Sequence, residues 1–102
     1  MDLSQTDWTQ QQQDSKVGII LDVRTPEEYE EGHLPNAVLL DIRNPKSFMD
    51  GVEALDPSKR YYVYCRSGAR SAQACQLLKQ QGILDCFNLL GGIIEWQGAI
   101  TR

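Results

Sequence analysis

The chain has 102 residues, 41% of them hydrophobic and 24% charged, with a formal net charge of -4. That length fits one domain with a single modest core, and no apolar run approaches the roughly 20 residues a membrane-spanning helix needs. Acids cluster in EEYEE at 27–31 while Lys and Arg are scattered, which excludes a phosphate-neutralising footprint and points to small molecules or proteins as partners, not nucleic acid.

The N-terminal MDLSQTDWTQ has neither a basic n-region nor an apolar h-region, so no export signal is expected and a cytoplasmic location is the default. Residues 1–16 form a polar N-terminal segment in which Ser4 or Thr6 can cap a short helix, with Trp8 as the apolar anchor that packs it on the domain formed by 17–102. The run VGIILDV at 17–23 is continuous and β-branched, as in a strand buried on both faces of a parallel sheet. Thr25, Pro26, Glu27 and Glu28 then read as an N-cap, a proline at the first helical position and acids at the positive end of the dipole, opening a helix to about Glu31 that Gly32 stops.

A second strand is expected at 37–42, AVLLDI, and Asn44 with Pro45 precedes a short helix in KSFMDGVEAL. YYVYC at 61–65 is the third strand. From Ala69 the pattern turns helical, placing Ala74, Cys75 and Leu78 on one apolar face, Ser71, Gln73 and Gln76 elsewhere, and Gly82 at the stop. CFNLL at 86–90 is a fourth strand, and Gly91 and Gly92 open a last helical turn. Strands alternating with helices in this way imply crossovers around a mostly parallel α/β sheet.

Cys65, Cys75 and Cys86 are odd in number and spaced by 10 and 11 residues, unlike a disulfide framework or a zinc pair, and the sole histidine, His33, is far from all three. They read as free thiols, with no metal site. Cys75 falls on the apolar helix face and Cys86 in a strand, as core residues do. Cys65 is different. It ends a strand where α/β sheets bind ligands, and the loop it begins, CRSGAR, has small residues whose amides can curl inward at a helix N-terminus. Such a setting lowers a thiol from about 8.5 to between roughly 3.5 and 7.5 and makes it a nucleophile.

Two chemistries fit. A wide loop would hold phosphate, as in a cysteine phosphatase, and a tighter one would hold a single added sulfur. Four residues separate Cys65 from Arg70, one fewer than the C-x5-R spacing of cysteine phosphatases, which favours sulfur.

LDVRTPEEYEEGHLPNAV at 21–38, CRSGAR followed by Ser71, and NLLGGIIEW at 88–96 together resemble the single-domain rhodaneses, the thiosulfate sulfurtransferase-like family. The resemblance implies a rhodanese-like α/β fold with a mostly parallel five-stranded sheet flanked by helices. It implies Cys65 as the catalytic sulfur acceptor, main-chain amides of Arg66, Ser67, Gly68, Ala69 and Arg70 binding the persulfide, and a loop arginine meeting an anionic donor such as thiosulfate. Acceptors would be cyanide, glutathione or another thiol, with a protein persulfide as an alternative partner, and neither metal nor organic cofactor is required. Asn36 stands where GHIPGA-type members have glycine, and Asn tolerates positive φ better than most residues. A slow sulfur-carrier or regulatory module that binds a protein partner is the second reading, and a phosphatase the third. Asp22, Arg24 and His33 read as architecture, Trp96 as a core or rim aromatic, and EEYEE as a solvated helix face. The sulfur reading requires a thiol that ionises below its free value and is open to solvent.

Overall fold

The computed structural model describes residues 1–16 and 18–102, so Val17, the first residue of the expected first strand, lies outside the described residues. The sheet comprises β1 (Asp2–Leu3), β2 (Gly18–Asp22), β3 (Val38–Leu39), β4 (Arg60–Tyr64) and β5 (Cys86–Leu89). Their order is β1-β5-β4-β2-β3 with every neighbouring pair parallel. The crossovers are carried by α1 (Gln5–Asp14), α2 (Pro26–Glu31), α3 (Pro45–Glu53) and α4 (Ala69–Gln80), and a 3-10 turn spans Ile93–Glu95. Among the described residues no helix is long and apolar enough to cross a membrane.

The alternation of β4 divides the core. Tyr61 and Val63, with Cys65 just beyond them, face a layer made with Leu21, Phe48 and Val52 of α3, and Ala74, Cys75 and Leu78 of α4. Tyr62 and Tyr64 face the other layer, with Trp8, Ile20, Leu34 and Leu89. Trp8 is 1% exposed, donates its indole N–H to the Phe87 carbonyl at 3.2 Å and meets Tyr62 and Tyr64 edge-on. Ser4, not Thr6, caps α1, its hydroxyl accepting from the Asp7 amide at 3.2 Å.

The expected strand at 37–42 is reduced to Val38–Leu39. The Leu40 and Ile42 amides still bond the Asp22 and Val23 carbonyls, but Asp41 Oδ1 accepts from the Arg43 amide at 2.8 Å and turns the chain into α3. The fifth strand, β1, is two residues long and lies in the polar N-terminal segment, too short for any periodic signal. Asn36 has φ 67°, as expected for a residue taking a glycine's place in that turn.

Candidate active site

β4 delivers Cys65 to the carboxyl edge of the sheet, and Gly68, at φ 107°, turns the chain into α4. A left-handed residue is required there, and glycine adopts it without a Cβ penalty. The N-terminus of α4 has no side-chain cap. The Cys65 sulfur takes that place: the Gly68 amide donates to Sγ at 3.0 Å and the Ser71 hydroxyl lies 3.4 Å from it. Burial by itself would raise the Cys65 thiol. Hydrogen bonds from the Ser71 hydroxyl and from the Ser71, Gly68 and Ser67 amides outweigh that effect and bring it below its ordinary value.

The glycine pair after β5 closes the loop from behind. The Ile93 amide donates to the Cys65 carbonyl at 2.9 Å and the Ile94 amide to the Arg66 carbonyl at 3.1 Å. With those carbonyls engaged by the strap, the amides of the loop are free to face sulfur. One expectation fails in this closed arrangement: Cys65 is 1% exposed, not open to solvent. The hydrogen bonds that favour the thiolate also draw it to the floor of the cradle. The open access that the sulfur reading asks for is therefore missing in this arrangement, and a donor reaches Sγ only as the loop or its neighbours move.

The two loop arginines differ. Arg66 is exposed, forms no ion pair among the described residues and lines a shallow depression of about 310 Å³ with Arg24, Glu28, Glu31, Ile93 and Ile94. Arg70 is half-buried and reaches back to α2, where its guanidinium grips Glu28 with two bonds of 2.7 and 3.0 Å. Ser67 and Ala69 are exposed. Of the two loop arginines, Arg70 has its fork already filled by a carboxylate, so Arg66 is the one without an ion pair among the described residues.

Glu28 therefore does not belong to a merely solvated helix face. Its carboxylate also closes a capping box with Thr25, accepting from the Thr25 amide at 3.2 Å while its own amide donates to Thr25 Oγ1 at 3.3 Å. The Arg70 fork holds the Glu28 carboxyl down at about 2 against the opposing effect of burial, with help from Thr25. Because the folded value lies below the ordinary 4.5, the stability this pair contributes is complete above pH 4.5 and disappears as pH falls toward about 2. Glu28→Gln is expected to lower stability by about 1 kcal/mol at neutral pH, the pair being partly exposed, and the difference should vanish in acid. Urea midpoints of both proteins across that range check it.

Behind the loop, Asp22 and Arg24 tie the end of β2 to the turn after α2 by hydrogen bonds. Arg24 bonds Asp22 through Nε at 2.9 Å and Nη2 at 2.7 Å, and Nη2 also donates to the Gly32 carbonyl at 2.7 Å. The Tyr64 hydroxyl donates to Asp22 Oδ2 at 2.5 Å and accepts the Leu34 amide. His33 stacks on Tyr29 with ring centroids 3.7 Å apart and engages the Tyr29 carbonyl through Nδ1. Trp96 packs edge-on against Trp8, closing the 3-10 turn over α1. Cys75 and Cys86 are buried in the layer shared with α4.

The structure adds three residues to the site, Ser71, Glu28 and Asn88. Ser71 is fully buried beside Cys65, although helical periodicity had set it off the apolar face. Its hydroxyl also hydrogen-bonds Asn88 Oδ1. The Thr25-x-x-Glu28 pattern was the one available signal for Glu28.

Comparison with known proteins matches the model of the rhodanese-like domain to residues 5–99. A sulfurtransferase of Allochromatium vinosum is 42% identical over 84 residues, covering 81% of this chain and 75% of the relative. A tRNA uridine(34) hydroxylase of Cytophaga hutchinsonii is 35% identical over 80 residues, which are 76% of this chain and 26% of that longer protein. The crystal structure of a rhodanese-like domain protein from Staphylococcus aureus superposes with a TM-score of 0.83 at 30% identity, covering 98% of this chain and 95% of the other. A cysteine at a strand end, cradled by the amides of a six-residue loop on an all-parallel sheet, together with these matches, makes the chain a member of the rhodanese-like domain family.

Proposed function

We propose that the protein is a sulfurtransferase that moves sulfane sulfur from a donor such as thiosulfate to a thiophilic acceptor, cyanide or a thiol, through a persulfide on Cys65. The observation that carries this reading is the convergence of the Gly68 amide and the Ser71 hydroxyl on Cys65 Sγ at the uncapped start of α4. In the first half-reaction the thiolate attacks the outer sulfur of thiosulfate, the sulfur–sulfur bond breaks and sulfite leaves with the electron pair. In the second, the acceptor attacks the terminal sulfur of the persulfide and Cys65 leaves as thiolate, so cyanide departs as thiocyanate. The cycle is a double displacement with ping-pong kinetics.

In this scheme the amides of Arg66 through Arg70 form the rim of the cradle, with Ser67 and Gly68 nearest the charge. Arg66 steers the anionic donor, and Arg70 shapes the loop through Glu28. The closed floor around Cys65 suits one terminal sulfur better than a phosphoryl group with its equatorial oxygens.

Assay with thiosulfate and cyanide is expected to show turnover that Cys65→Ser abolishes, and donor alone should add the mass of one sulfur atom to Cys65. Cys65-dependent hydrolysis of a phosphate ester without sulfur transfer would overturn the assignment. The burial of Cys65 also supports a second reading, a sulfur carrier that loads and unloads slowly against a protein thiol or persulfide. Stoichiometric loading in a single turnover with little steady-state rate distinguishes it.

A further inference from the structure

Asn88 lies on β5 behind the cradle, 3% exposed, and its side-chain amide has only one workable orientation. Nδ2 donates to Asp2 Oδ1 at 3.1 Å and to the Gly68 carbonyl at 3.2 Å. Both partners are acceptors only, so a flipped amide would set oxygen against oxygen twice. Oδ1 therefore faces the Ser71 hydroxyl, its close hydrogen-bond partner. Ser71 has a single proton and two claimants for it, Asn88 Oδ1 and Cys65 Sγ.

The charge on the sulfur decides between them. A neutral thiol donates to the Ser71 oxygen and leaves the hydroxyl pointing at Asn88. A thiolate is a charged acceptor, and hydrogen bonds to charged groups are roughly twice as strong as neutral ones, so the hydroxyl turns to sulfur. In a persulfide the charge sits on the outer sulfur, Sγ is a weak acceptor, and the proton swings back.

We propose that Asn88, held by Asp2 and Gly68, is a positioning residue for the Ser71 proton, accepting it while Cys65 Sγ is uncharged and yielding it when Sγ becomes a thiolate. Only the O–H bond direction changes; no proton leaves Ser71. Asn88 thus competes with the thiolate for the hydroxyl, and in the transfer cycle, on the sulfurtransferase reading, it stores the donor until Cys65 departs. Around this pair the charged groups are Arg70 on α4, Arg24 after β2 and Glu28 on α2, with Asp2 of β1 behind Asn88. None of the four is itself substituted below, and the contact of Asp2 that Asn88→Leu removes is common to both backgrounds.

The test reads the pH profile of the ultraviolet absorbance of the Cys65 thiolate, taken as the difference from Cys65→Ser, which depends neither on sulfur transfer nor on the access of a reagent to the buried sulfur. Ser71→Ala, a loss of one oxygen, is expected to raise the thiol pKa by about one unit, the equivalent of one hydrogen bond to a charged group. Asn88→Leu, which fills the site and keeps water out, should lower it by about half a unit relative to its effect in the Ser71→Ala background. Equal shifts in the two backgrounds would assign Asn88 to holding the Gly68 loop alone and overturn the proposal. The unsubstituted protein supplies an independent reading: the side-chain amide resonances of Asn88 should titrate with Cys65 and cease to do so in Ser71→Ala. Resonances indifferent to Cys65 ionisation would equally overturn it. The expected pKa pattern in a protein that transfers no sulfur would reject the sulfurtransferase reading and leave this one standing.

Discussion

Gly92→Ala is expected to unfold the protein about 15 °C below the parent and to return the Cys65 thiol toward its free pKa, because the added methyl has nowhere to go. An alanine Cβ at this position would lie 2.7 Å from the Cys65 carbonyl oxygen and still closer to the carbonyl of Arg66. Both obstacles are backbone, and both belong to the loop that holds the sulfur. The residue also sits at φ 61°, where a side chain adds strain. Together these amount to about 3 kcal/mol. Gly91 provides the control. Its Cβ would meet the Glu95 carboxylate, the movable end of a flexible side chain, so Gly91→Ala should lower stability by about 1 kcal/mol, mostly through its positive φ. Thermal melts of the two variants check the contrast, and equal losses would show that the strap is not pressed against the loop.

Asp22→Ala should be comparably damaging for an electrostatic reason. Asp22 is fully buried and Arg24 is 5% exposed, so removing the carboxylate strands a guanidinium and the Tyr64 hydroxyl in the interior. Breaking a buried pair from one side typically costs about 3–5 kcal/mol. Tyr64→Phe removes a hydrogen bond to the buried carboxylate and leaves the Leu34 amide without its acceptor, and should cost about 2 kcal/mol. Urea midpoints measure both, and a loss below about 1 kcal/mol for Asp22→Ala would mean that water reaches Arg24 and the network is not sealed.

The contrast between Asp22 and Ser71 shows what the amino-acid sequence exposes and what it hides. The strands at 18–22, 60–64 and 86–89 were legible within a residue or so, because their side chains are apolar on both faces and the flanking turns carry Gly, Pro and Asn. The cap at Thr25 and the stop after α4 followed from local chemistry. Cys65 stood out because a strand end, a glycine and a helix start coincide there. Ser71 did not, since a serine in the first turn of a helix usually faces water, and only the return of β5 with Asn88 places it inside. The Arg70 to Glu28 pair joins residues 42 apart in the chain. No local pattern encodes such a meeting. It exists only once β2 and β4 lie side by side and bring α2 against the loop.

The pairing of β1 with β5 has a consequence for biogenesis. Asp2 meets Asn88 across a separation of 86 residues, so the earliest of these segments to be synthesised has no sheet partner until almost all the others have been made. Closing so large a loop is entropically slow, and a growing polypeptide would hold the β1 strand unpaired while it waits. Translation speed and chaperone access near that edge should therefore influence yield more than substitutions on the surface do.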